Sequence, residues 1–454
     1  MRAPLWPNRR AVLLGGVAAS IWAWRGATSF AAPPPARRLT AAPSAQALAP
    51  PPAQPTPLLA YEGSVPGPLI RLKHGEELAL GFANRLDAPT TLSFPGLRIA
   101  NGFAGIAGLT QAAIAPGGEA EIRFTPPDAG FNLYLPDAGA ATARQLASGL
   151  FGPIVVEEPA PPEVDLEAVV VLADWRLDET GRWRDDSGSA GTLVTAGASV
   201  APQRFTAPPG ARVRLRLANA AATRAMMIVV TGAAPQIVAV DGQPSASFAP
   251  LRNAFPIGPG ARFELIFDMT DAAVAFSLRD DAASGPDRPL AVFDSVGAAK
   301  PTRAEIAGLP ANPLLPTEID LARARRFELT LSAADGAALA INGETLNDWS
   351  AKPQFAVRRG APVTLALINA TAATQTMRLG GHVARLLHAL DDGWEPYWRD
   401  IFLIPPGKTV RLAFVADNPG KWPIASATPA SRAAGLSGWF NVDWIKASPA
   451  ARCR

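Results

Sequence analysis

Two alternating patterns of apolar and polar positions recur three times along the chain. The first is a glycine, an alternating apolar run, and an asparagine nine residues after the glycine. It reads GEELALGFAN from Gly75 to Asn84, GARVRLRLAN from Gly210 to Asn219 and GAPVTLALIN from Gly360 to Asn369. The second is Pro-Gly and an alternating run that ends in phenylalanine eight residues after the proline. It reads PGGEAEIRF from Pro116 to Phe124, PGARFELIF from Pro259 to Phe267 and PGKTVRLAF from Pro406 to Phe414. Alternation of period two puts one face of a strand on a core and the other towards solvent. Strands are therefore predicted over Glu77–Asn84, Arg212–Asn219 and Pro362–Asn369, equivalent in position.

Both signatures repeat at intervals near 140 to 150 residues, which predicts three homologous antiparallel sandwich domains, over 57–160, 161–305 and 306–448, and a tail over 449–454. The fold class is all-β, three tandem sandwiches. The length of 454 residues accommodates three cores, and 46 prolines with 39 glycines favour turns over long helices.

The N-terminus reads as an address. Arg9 and Arg10 precede an apolar run from Ala11 to Trp24, and Ser29-Phe30-Ala31 offers a small-x-small cleavage pattern. Residues 1–31 are expected to be a twin-arginine-type signal peptide, which places the mature chain in the periplasm. Residues 32–56, rich in Pro and Ala, are expected to be a stiff, extended lead-in that builds no core. Removing Arg2, Arg9, Arg10 and Arg25 turns the formal charge of +3 into 38 basic against 39 acidic residues. With no basic stripe left, a nucleic-acid partner has no support. The single cysteine, Cys453, rules out an intrachain disulfide.

Familiar catalytic signatures are absent: the chain has no G-x-S-x-G, no phosphate-cradling glycine loop and no H-E-x-x-H. The paired acids Asp280-Asp281 and Asp391-Asp392 read as surface turns. The aromatic run Trp394-Glu395-Pro396-Tyr397-Trp398 reads as the plug of a sandwich end or as a binding platform.

YEGSVPGPLIRLKHGEELALGFANRL, GLRIANGFAGIAGLTQAAIAPGGEAEIRFTPPDAG and GLFGPIVVEE in the first repeat, with FVADNPGKW and AAGLSGWF in the third, resemble the multicopper oxidases. The middle repeat is a looser match. The resemblance implies three cupredoxin-like Greek-key (plastocyanin-like) sandwiches, a blue-copper site in domain three and a three-copper cluster between domains one and three. That chemistry uses ten histidines and a cysteine, whereas the chain has three histidines, His74, His382 and His388.

At the positions that the resemblance assigns to the cluster's imidazoles stand Ser93, Pro95, Leu135, Asp137, Arg378, Gly380, Ala425 and Ala427. At the blue-copper positions stand Gln375, Ser426, Ser431 and Leu436, while Gly96, Tyr134, Gly381, Trp422 and Gly435 keep the family's framework. No copper, other cofactor, metal-binding or catalytic residue is expected. His74 is expected to be solvated and His382 to be a packing residue, with His388 near it. Gln375, Ser426, Ser431 and Leu436 are expected to converge in a filled rather than open pocket. Of the eight cluster positions only Asp137 and Arg378 are charged, with opposite signs, and they are expected to pair across the domain interface. The copper-free branch of the family, the SufI-type (FtsP) cell-division proteins, implies a binding or scaffold role with an envelope protein as partner, in cell division or envelope maintenance. A non-copper enzyme in the vacated cleft and a copper oxidase after all remain the alternatives.

Overall fold

The computed structural model describes residues 37–48, 54–139, 141–178, 180, 192–279, 286–346, 349, 352–387 and 393–444. The expected signal segment, His388, Cys453, Asp280-Asp281 and Asp391-Asp392 lie outside them. Within the described residues the chain is built from strands, with two short α-helices, Ala141–Ala147 and Pro429–Ala433. No helix there is long and apolar enough to cross a membrane.

The three predicted strands form, over Leu78–Asn84, Arg212–Asn219 and Ala361–Asn369. Each pairs antiparallel with the strand of the second signature, Glu119–Phe124, Arg262–Asp268 or Thr409–Ala416. The glycine of Pro-Gly explains why the signatures travel together. Gly117, Gly260 and Gly407 have φ of 75, 81 and 67°, a left-handed turn that suits glycine. Their N–H groups donate to the carbonyls of Asn84, Asn219 and Asn369.

The asparagine itself is a buried corner. Asn369 Nδ2 donates to the carbonyls of Ala373 at 2.8 Å and Ile404 at 2.7 Å, and its Oδ1 accepts from Thr371 N–H at 2.9 Å. Asn84 and Asn219 repeat the arrangement, on Ala88, Ile114 and Leu86 and on Arg224, Ile257 and Ala221. One side chain thus satisfies three backbone groups where the strand ends inside the protein.

Each central strand also has a parallel neighbour: Arg37–Gln46, Leu166–Arg176 and Arg325–Ala333. This corrects the reading of 32–56 as a lead-in, because Arg37–Gln46 is the first strand of domain one, with Leu39 and Ala41 buried. Its pattern is weak because only those two side chains reach the core. Pro43 is tolerated because pairing with the central strand ends at Ala41, so no ladder bond is lost there.

Domain one has a four-stranded and a three-stranded sheet, and domains two and three each have a five-stranded and a six-stranded one. The linker from domain two to three also departs from expectation. Ile306 and Leu309 pack with Val238, Ala239 and Ile266 of domain two, and Asn312 bonds both Ala129 and Gln243. Residues 306–312 therefore lie along the first two domains. Their hydrophobic spacing carries no strand period that would have assigned them.

The corner predicts its own test. Asn369→Ala orphans two buried carbonyls and one N–H, and should lower the stability of the chain by about 3 kcal/mol. Chemical denaturation followed by fluorescence reads this directly, and no change would contradict the role given to the asparagine.

Candidate functional site

The site lies where the three domains meet. Asp137 follows the strand Gly130–Tyr134, held by its N–H on Thr91 Oγ1 at 2.8 Å and by its carbonyl, which accepts from Ala107 N–H. Arg378 lies on the strand Gln375–Leu379, between Ile401–Ile404 and Gly420–Ser426. Met377 and Leu379 of that strand enter the core of domain three. Alternation then sends Arg378 to the opposite face, towards domain one.

The structure brings the two predicted residues together: Arg378 Nη2 donates to Asp137 Oδ2 at 2.6 Å. A second guanidinium completes the cluster. Arg432, on the helix Pro429–Ala433, puts Nη2 2.7 Å from Asp137 Oδ1. Its other face lies over the ring of Trp349, 4.8 Å from the centroid, and Trp349 Nε1 donates to the Ala107 carbonyl of domain one at 2.7 Å. Burial alone would push the fully buried carboxyl of Asp137 up. The charges of Arg432 and Arg378 outweigh it and hold the group below the usual carboxylate range.

A third arginine ties all three domains. Arg262 Nη2 donates to Asn132 Oδ1 of domain one at 3.0 Å, to the Asp241 carbonyl of domain two at 2.8 Å and to Asp400 Oδ1 of domain three at 2.7 Å. Burial pushes the Asp400 carboxyl up to about 6 against the opposing pull of Arg262. Sequence reasoning missed both Arg432 and Arg262. Glu119 and Thr409 occupy the place of Arg262 in the other two repeats and are exposed, so the repeat itself carried no sign of a buried node. Arg432 adjoins Ser431, one of the blue-copper positions, and that adjacency is the one signal that could have found it.

Between these groups lies a small cavity of about 40 Å³ to which all three domains contribute, among others Leu133 and Leu135, Ala220 and Arg262, and Arg378 and Ala427.

Of the blue-copper positions, Gln375, Ser426 and Leu436 are buried and Ser431 is half-buried. Ser426 Oγ donates to the Thr376 carbonyl at 3.2 Å, and its N–H bonds the Leu436 carbonyl at 2.8 Å. Leu436 is fully buried in the core of domain three, and Gln375 Nε2 donates to Thr371 Oγ1 at 3.0 Å, while its Oε1 is buried without a hydrogen-bond partner. His74 is exposed. His382 is buried with both ring nitrogens engaged, Nδ1 on the Gly380 carbonyl at 3.0 Å and Nε2 accepting from Asn418 N–H at 3.3 Å. Burial pushes its pKa down to about 4, and no lone pair is left for a metal. Tyr397 of the aromatic run stacks on Phe248 of domain two, 5.3 Å between centroids, and Trp398 is buried beneath Arg385. These two rings pack, one of them across a domain boundary.

As a donor set, the positions assigned to copper do not fit the metal. They supply no imidazole and no thiolate, and their one carboxylate is engaged by two guanidinium groups. Among the described residues no three His, Cys, Asp or Glu side chains are grouped so as to hold a metal ion.

Removing the charge of Asp137 strands two buried cations. Asp137→Asn should therefore cost about 3–5 kcal/mol at neutral pH. Because the folded carboxyl is depressed, that stability is present above about pH 4 and is lost as pH falls through the folded value. Denaturation curves of wild type and variant should thus converge in acid; equal stability at neutral pH would contradict the arrangement.

Comparison with known proteins agrees with the architecture. Two multicopper oxidase family profiles match, over residues 44–161 and 316–444. The multicopper oxidase MmcO of Mycobacterium tuberculosis is 28% identical over 435 residues, covering 85% of this chain and 83% of that protein. The crystal structure of a multi-copper oxidase from Pseudomonas thermotolerans superimposes with a TM-score of 0.80 at 29% identity, covering 89% of this chain and 98% of that one. That of Lac15 from a marine microbial metagenome gives 0.75 at 29% identity, covering 89% and 99%. With three sandwiches, matched profiles at both ends and neighbours that cover it almost throughout, the chain belongs to the multicopper oxidase superfamily and carries its three cupredoxin-like domains.

Proposed function

We propose that this chain is an exported, copper-free member of its superfamily that acts by binding rather than by oxidation. One observation carries the reading: where the resemblance puts imidazoles for a three-copper cluster, Asp137 is engaged by Arg378 and Arg432. Two guanidinium groups on Asp137 repel a metal ion, and the carboxylate they hold has little left to donate. The cavity beside them also favours binding over turnover. Among the described residues no His, Asp, Glu, Lys or Cys lines it, and Ser426, one of the two hydroxyl side chains there, is spent on a backbone carbonyl. A rigid β scaffold without metal still offers broad faces and sheet edges to a partner. The twin-arginine signal supports a periplasmic location, and the resemblance to the SufI-type branch supports an envelope protein as partner, in cell division or envelope maintenance.

Dioxygen uptake with a phenolic electron donor and added copper tests the loss of oxidase activity. No saturable uptake above a heat-denatured control is expected, and saturable uptake would overturn the reading. For the envelope role, deletion of the gene should make division stress-sensitive. Rescue should come from the wild-type chain and not from one carrying Arg9→Lys and Arg10→Lys. A deletion strain that divides normally under stress would remove the division role.

A further inference from the structure

We propose that the cavity at the three-domain junction is a binding site for a small monocarboxylate of about the size of acetate. Three observations carry it. First, among the described residues the charged ones that line the cavity are Arg262, Arg378 and Arg432, and no carboxylate joins them on its wall. Second, the guanidinium groups are unevenly served. Arg262 has Asp400 at 2.7 Å and Asp241 at 3.9 Å, but Arg378 and Arg432 share the single carboxylate of Asp137. Two cations on one carboxylate leave guanidinium N–H groups from which a bound anion would accept. Arg378 makes one side-chain hydrogen bond, and its Nε has no partner. A guanidinium offers five N–H donors in a fork that suits a carboxylate.

Third, the shape selects among anions. A cavity of some 40 Å³ holds about three waters, which is room for an anion of three or four heavy atoms. Leu133, Leu135, Ala427 and Pro429 give the rest of the wall an apolar surface. A carboxylate on the guanidinium groups with a methyl against those side chains uses both halves, whereas chloride uses only one. The site depends on the copper-free reading only in that the cavity is taken to hold no metal.

The test is a titration of the full chain with carbon-13-labelled acetate at fixed ionic strength, followed by NMR, with sodium chloride as the competitor. Saturable acetate binding that chloride displaces only at much higher concentration is expected. Ala427→Leu, which fills the cavity and keeps every arginine, should weaken acetate by about tenfold or more. Arg432→Lys, which keeps the charge and loses the fork, should weaken it as well, and thermal melts show whether each variant is folded. Absence of saturable binding by the wild type, unchanged affinity in both folded variants, or chloride binding as tightly as acetate would each overturn the proposal. Copper content measured on the same samples keeps the two readings apart. Copper-free protein that ignores acetate sinks only this proposal, whereas protein that loads copper sinks the copper-free reading.

Discussion

Two guanidinium groups on one buried carboxylate hold domain one against domain three. Taking such charges out of water is costly, and the cost is recovered only while every partner is in place. Asp137 comes from one domain and Arg378 and Arg432 from the other, so the contact exists only when the domains dock in a single register. Arg262 adds the same constraint from the middle, with one nitrogen bonded to all three domains. A network of this kind stabilises little compared with an apolar interface, but it penalises every misplacement of one sandwich on another.

The framework residues fit this picture without reference to metal. Gly96, with φ of 89°, leaves no room for a side chain, since a Cβ there would lie 2.1 Å from Arg262 Nη2. Gly381, with φ of 65°, packs on the indole of Trp422, whose Nε1 donates to the Asn418 carbonyl at 2.8 Å. Asn418 in turn donates to the Ile99 carbonyl of domain one at 2.9 Å. These residues shape backbone and interface, a task that does not depend on ligand side chains.

The sandwiches were legible because strand alternation and the Pro-Gly and Asn corners are local and repeat three times. The strand Arg37–Gln46 was not, since only Leu39 and Ala41 contribute to the core and its proline, Pro43, and alanines mimic a linker. Asp137 and Arg378 were legible as a pair from opposite charge and aligned position. Arg432 and Arg262 were not, because their burial is imposed by neighbouring domains, and nothing in a strand's own period reports what docks against it. His382 reads as a packing residue, and in the structure its two ring nitrogens are engaged by the Gly380 carbonyl and the Asn418 N–H.

The central claim is that an ion cluster stands where the superfamily has copper. Metal analysis of the purified chain, after equilibration with excess copper and removal of the unbound ion, tests it most directly. The account predicts trace copper and no blue absorption band. Copper close to one or more equivalents per chain, with a blue band, would contradict it.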